Sequence, residues 1–122
     1  MHVTRIAEAP AYVSPEHYDM RTLRLQGREA GPNARFWVGM SIIEPGGGTV
    51  LSASSDEKVY VVLSGTVSIS NGTDQVALAP FDSCRIAPHE NRALSNDGPE
   101  PAAILLVMAE GAPPASPPLA PA

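Results

Sequence analysis

Residues 45–65 read PGGGTVLSASSDEKVYVVLSG. Pro45 and three glycines end an apolar stretch, residues 36–43 (FWVGMSII), whose composition predicts a strand. Residues 49–52 are short and extended, and residues 59–63 are β-branched and apolar, a second strong strand signal. Between them a polar loop carries Ser52, Ser54 and Lys58.

The same texture continues downstream. Residues 66–70 lead into Asn71-Gly72, where both residues tolerate positive φ and so predict a type I′ hairpin. Residues 75–78 return and Pro80 closes them; residues 83–87, 92–95 and 103–108 complete about eight short strands. Short strands at regular spacing, without helical intervals, define an all-β sandwich or barrel. Upstream, Pro10, Pro15 and Pro32 interrupt any helix, so residues 1–35 are expected to be irregular. Within them residues 22–26 (TLRLQ) alternate and form one strand candidate. From Ala109 onward the chain is nearly all Ala, Pro, Gly and Ser, with five prolines, which predicts a mobile tail.

A chain of 122 residues makes one domain with a modest core, and 13 Pro with 10 Gly suit a turn-rich fold. The formal charge is −5 and the basic residues are scattered, so no nucleic-acid partner is expected. No apolar run is long enough for a membrane-spanning helix, and MHVTRIAEAP lacks the core of a signal peptide. The single cysteine, Cys84, suits a reducing compartment, and a cytoplasmic location is expected.

Residues 36–108 resemble a small single-domain cupin. The family's first motif runs glycine, five residues, His-x-His, three or four residues, Glu, six residues, glycine. Gly46 and Gly65 take its two ends, which sets Ser52 and Ser54 in the histidine places and Lys58 in the carboxylate place. In the second motif Asp82 takes the opening glycine position and Pro88 the proline, followed by His89-Glu90-Asn91. Counting back from Asn96 puts Arg92 in the last histidine place, with the interval from Pro88 one residue short of the family's pattern. The resemblance implies a double-stranded β-helix, or jelly-roll, barrel over residues 36–108. An irregular N-terminal arm (1–35) belongs to the same domain (1–108), and the tail (109–122) follows. Small cupins commonly pair, and Tyr12, Tyr18 and Leu23 of the arm must pack somewhere, so a homodimer is expected.

A metal-dependent cupin would draw its ligands from these four positions. Hydroxyls are poor ligands for transition metals and two cations repel one, so no metal and no other cofactor is expected. Lys58 and Arg92 turned into a barrel need an anion, since desolvation disfavours unpaired charge. The expected ligand is a small molecule bearing a carboxylate, gripped by the planar fork of Arg92. Ser52, Ser54, Trp37 and His89 complete the binding set, with Trp37, Gly39 and Ser41 on one strand face. Lys58, assisted by Tyr60 on the same face, is the expected proton mover of a metal-independent isomerase, lyase, dehydratase or decarboxylase. A non-catalytic binding or sensing module and a metal-dependent enzyme are the alternatives. Alternation alone gives an opposite orientation: Val59, Val61 and Leu63 turn inward, leaving Lys58 and Tyr60 in solvent.

Overall fold

The structure, a computed structural model, describes residues 1–110, and the proline-rich tail lies outside the described residues from residue 111 onward. Nine strands follow one another: β1 (Ala11–Tyr12), β2 (His17–Gln26), β3 (Phe36–Thr49), β4 (Lys58–Ser64), β5 (Val67–Ser70), β6 (Gln75–Leu78), β7 (Ser83–Ile86), β8 (Ala93–Ser95) and β9 (Ala102–Ala109). Every strand pairing is antiparallel, and the order runs β6-β5-β8-β3-β9-β4-β7, with β2 on β3 and β1 on β2. This is the nearly closed all-β barrel of the jelly-roll type.

Three local expectations are corrected. The arm is not irregular: β2 is ten residues long and pairs with β3 from His17↔Thr49 to Gln26↔Val38. Pro10 and Pro15 bracket β1 instead of disrupting a helix, so they act as strand ends. Nor does β3 stop at Pro45. It continues to Thr49, pairing with β9 before the proline and with β8 at Gly48↔Ser95, so one strand links both neighbours within the single sheet. Gly46 supplies the bend with φ of 84°. Gly47 and Gly48 let the carbonyls of Asp19 and Leu94 approach where any Cβ would sit. The third correction concerns the hairpin, whose last pair is Ser70↔Gln75, leaving a four-residue loop. Gly72 has φ of 93°, while Asn71 stays out of the left-handed region. The Asn71 Oδ1 instead accepts from the amides of Thr73 (3.0 Å) and Asp74 (2.7 Å), an Asx turn.

The core fills the far part of the barrel with Ile43, Val62, Val67, Ile69, Leu78, Leu94 and Ile104. Asn96 closes that end. It is 1% exposed, and its Nδ2 donates to the carbonyls of Ile43 and Glu100, both at 2.8 Å. Its Oδ1 accepts from the Gly98 amide at 3.0 Å. Asn96→Ala leaves the buried Ile43 carbonyl without this donor, and a loss of about 2–3 kcal/mol is expected by urea denaturation. A loss below ~0.5 kcal/mol would show that the loop re-forms these bonds through water.

Candidate functional site

Residues opposed across antiparallel strands share a face, so the register gives the layers of the barrel interior. Trp37, Met108 and Lys58 form one cross-strand row of β3, β9 and β4. The next row is Arg24, Gly39, Leu106 and Tyr60, across β2, β3, β9 and β4. These rows line a cavity of about 420 Å³ whose other walls carry Ser52, Ser54, Arg92, Ser41 and the segment from Tyr12 to His17. The two orientations of β4 are thus decided. Lys58 and Tyr60 are 5% and 3% exposed, whereas Val59, Val61 and Leu63 are half-buried on the outer face. Glu57, which would have accompanied buried valines, stays outside and pairs with Arg85.

Arg92 is held from the opposite wall. Its backbone bridges to Ser52 in both directions, Ser52 N to Arg92 O at 3.1 Å and Arg92 N to Ser52 O at 2.8 Å. That reciprocal pair fixes the register that the short Pro88–Arg92 interval left open. The Arg92 Nη1 donates to Thr49 Oγ1 at 2.7 Å, an oxygen that also accepts from the Leu94 amide at 2.9 Å. The Arg92 Nε is buried with no partner. Among the described residues neither Lys58 nor Arg92 forms an ion pair. Burial holds the Lys58 ammonium below its ordinary pKa, the Arg92 charge adds to this, and Asp56 opposes it. Burial pushes the Tyr60 phenol up, against the opposing pull of Arg92.

Of the expected residues, Lys58, Tyr60, Arg92, Ser52, Ser54 and Trp37 all line this one cavity. His89 does not. It is exposed in the turn after Pro88, with φ of 66°, and its amide donates to the Ser54 carbonyl.

Nine lining residues come from the arm, and four of them that carry rings or charge, Tyr12, His17, Arg24 and Arg28, were not among the expected site residues. Arg24 is buried at 6% exposure and lies 3.7 Å from the Tyr12 ring centroid and 4.2 Å from that of Trp37. Its Nε donates to Glu29 Oε1 at 3.0 Å. The two rings meet edge-on, 5.7 Å apart at 85°. They crowd over Gly39, where a Cβ would sit 2.8 Å from Trp37 Cζ3 and 2.9 Å from the Tyr12 hydroxyl. The His17 Nδ1–H donates to the Pro15 carbonyl at 2.7 Å, which leaves Nε2 as the basic nitrogen of the neutral ring. Burial first, then the Arg92 and Lys58 charges, hold His17 below its ordinary pKa. The alternation in TLRLQ was the available signal, but it needed reading with the polar residues, Thr22 and Arg24, turned in.

A cupin metal does not fit this donor set. Its ligand positions carry two hydroxyls and two cations, and among the described residues no three His, Cys, Asp or Glu side chains come together.

Barrel topology, motif frame and site place the chain in one class: residues 39–108 match the Cupin domain family, and the protein belongs to it. A relative named beta-D-galactosidase Rv1717, from Mycobacterium tuberculosis, is 40% identical over 109 residues, covering 89% of this chain and 94% of that protein. Among solved structures, the polyketide cyclase RemF from Streptomyces resistomycificus superposes with a TM-score of 0.78 at 17% identity, covering 89% of this chain and 79% of that one. A predicted oxalate decarboxylase from Thermotoga maritima gives 0.73 at 19%, covering 89% and 98%. At such identities these two structures establish the fold alone.

Proposed function

We propose that this cupin binds a small organic anion, a carboxylate or keto acid, between Lys58 and Arg92 and moves a proton on it without a metal. One observation carries the reading: two buried cations face a single cavity, and among the described residues no carboxylate is paired to either. A bound carboxylate supplies the counter-charge. Ser52 and Ser54 provide hydroxyls beside it. In an isomerisation, Arg92 holds the carboxylate, and Lys58, in the fraction of molecules that have lost its ammonium proton, takes a proton from the carbon beside the carbonyl. Where that carbon bears a hydroxyl, the Tyr60 phenol hydrogen-bonds the enediolate oxygen that forms, the hydroxyl proton passes to that oxygen, and the Lys58 ammonium returns its proton to the former carbonyl carbon, so that carbonyl and hydroxyl exchange places. The depressed Lys58 makes that amine accessible nearer neutrality. Lyase, dehydratase and decarboxylase chemistry would use the same positions.

Thermal-shift measurements with monocarboxylates and their amides test the binding step. Acids are expected to raise Tm and amides to leave it unchanged, with the shift lost in Arg92→Gln. Equal shifts from acid and amide would sink the reading. Binding without turnover of any candidate acid would identify the second function, a sensing module.

The relative's printed activity suggests glycoside hydrolysis, which typically relies on two carboxyl groups flanking the scissile bond. Glu16 is the single carboxylate lining this cavity among the described residues, so a chromogenic galactoside is expected to remain intact. A homodimer stays part of the proposal. The half-exposed outer row Leu23, Met40, Leu105 and Val61 supports it, and the lone free Cys84 supports a cytoplasmic setting. Among the described residues no helix is long and apolar enough to cross a membrane.

A further inference from the structure

His17 stands in β2 opposite Thr49 of β3, so the two side chains share one face, with their Cα atoms about 4.5–5.5 Å apart. Thr49 is 3% exposed, and its Oγ1 accepts from Arg92 Nη1 at 2.7 Å. His17 is therefore one strand away from the residue that holds the Arg92 guanidinium, and it lines the same cavity as Arg92 and Lys58.

The ring is oriented through its other nitrogen. Nδ1–H donates to the Pro15 carbonyl at 2.7 Å, so the neutral ring carries a lone pair at Nε2. Among the described residues, the buried side-chain nitrogens without a partner are Trp37 Nε1 and Arg92 Nε. His17 Nε2 is not one of them: the ring is half-buried and this nitrogen stays open to a small molecule.

A lone pair at this place conflicts with a bound anion. A carboxylate brings acceptor oxygens only, and a second acceptor facing them repels. A proton on Nε2 removes the conflict and turns the ring into a further donor of the right charge. The surroundings set when this happens. Burial holds the free ring below its ordinary pKa; the Pro15 carbonyl and Glu16 oppose this, while Arg92 and Lys58 add to it. Of the cavity's other titratable groups, burial keeps the Tyr12 and Tyr60 phenols neutral, and Arg24 and Arg28 are paired with Glu29 and Glu110. Arg21, on the same strand as His17, is exposed. An anion between Arg92 and Lys58 offsets the two charges that disfavour the imidazolium.

We infer that His17 is the third anion-binding residue of this site: capture of the ligand's carboxylate draws a proton onto Nε2, which then donates to it. This rests on the anion reading of the same cavity, and the test separates the two.

Calorimetric titration with pyruvate, which stays ionised throughout, compares the wild type with His17→Asn. The amide of that variant keeps an N–H for the Pro15 carbonyl and puts nothing in the place of Nε2. Titrations in buffers of different ionisation enthalpy count the protons taken up. From about pH 8 down to about pH 5.5 the wild type is expected to bind about five- to ten-fold more tightly, taking up part of a proton. The sign follows from a bound-state pKa above the free one. The gain is absent above the bound value and complete below the free value. His17→Asn is expected to match the wild type at about pH 8 and to change less than about two-fold on acidification. Any proton that Lys58 takes up is retained in the variant, so the difference between the two proteins reports His17. NMR titration of the His17 ring, one of three in the chain, needs no variant: its pKa is expected to rise when pyruvate saturates the site. Pyruvate binding with no rise in the His17 pKa, or with equal proton uptake by both proteins, would overturn the role of His17 and leave the anion site standing. No pyruvate binding at any pH would instead overturn the anion reading beneath it.

Discussion

Lys58→Met is expected to make the barrel more stable and its pocket inert. Met keeps most of the stem length and volume but removes a charge that lies buried beside Arg92 without an ion-pair partner. Exchanging such a buried charge for a packed apolar side chain stabilises by about 1–3 kcal/mol at neutral pH. Acid binding is expected to fall at least ten-fold in the same variant, and any turnover to vanish. The pH dependence gives an independent signature. The folded-state pKa of Lys58 is below its ordinary 10.5, so the unfolded chain binds the extra proton in the window between the two values. The cost of burying this charge is therefore complete below the folded pKa and relieved as pH rises through it toward 10.5. Wild-type stability gains from this group across that alkaline window, and Lys58→Met should lack the gain. Denaturation curves at several pH values decide the matter. A variant less stable than the wild type at pH 7, with an unchanged alkaline profile, would mean that Lys58 is paired in solution.

Gly48→Ala is expected to be among the most damaging single-methyl additions to the chain. The new Cβ would fall on the Leu94 carbonyl oxygen, with Ser95 Cα 3.1 Å away, and backbone cannot swing aside as a side chain does. The pairing Gly48↔Ser95 joins β3 to β8, and β8 carries the chain on from Arg92, so β8 would be pushed off β3 where the barrel wall is continuous. A loss of ~3 kcal/mol or more is expected from denaturant midpoints. Gly46→Ala meets no atom within 4 Å and is strained only through its φ of 84°. It should cost ~1–2 kcal/mol and serves as the comparison. Equal losses in the two variants would show that conformation, not close approach, explains the glycine run.

The barrel was legible because its signals are local: β-branched runs, turn residues and two spaced motifs. The site was legible only where a motif frame overrode alternation. In β4 the more apolar face, Val59, Val61 and Leu63, is the outer one, and Lys58 and Tyr60 are buried. The same inversion hides Arg24 and Thr22 behind Leu23 and Leu25 in β2. Alternation assumes that the buried face is the apolar one, and it fails where the buried face is a polar cavity. Arg24 is stabilised there by two aromatic rings and Glu29, none of them its neighbour in sequence. His17 escaped because nothing in its surroundings by sequence connects it to Lys58 and Arg92; only the folding of β2 along β3 does.

That pairing of β2 with β3 has a consequence for where variation in this lineage can act. Lys58, Tyr60 and Arg92 all fall inside the segment that matches the family, residues 39–108. Tyr12, His17, Arg24 and Trp37, which wall the same cavity, fall before it. The two cations without an ion pair among the described residues thus fall in the family-matched segment, and the cavity's aromatic and histidine wall falls in the stretch before it. In this chain, substitutions before residue 39 can therefore reshape the cavity wall while the family-matched segment keeps Lys58, Tyr60 and Arg92 in place.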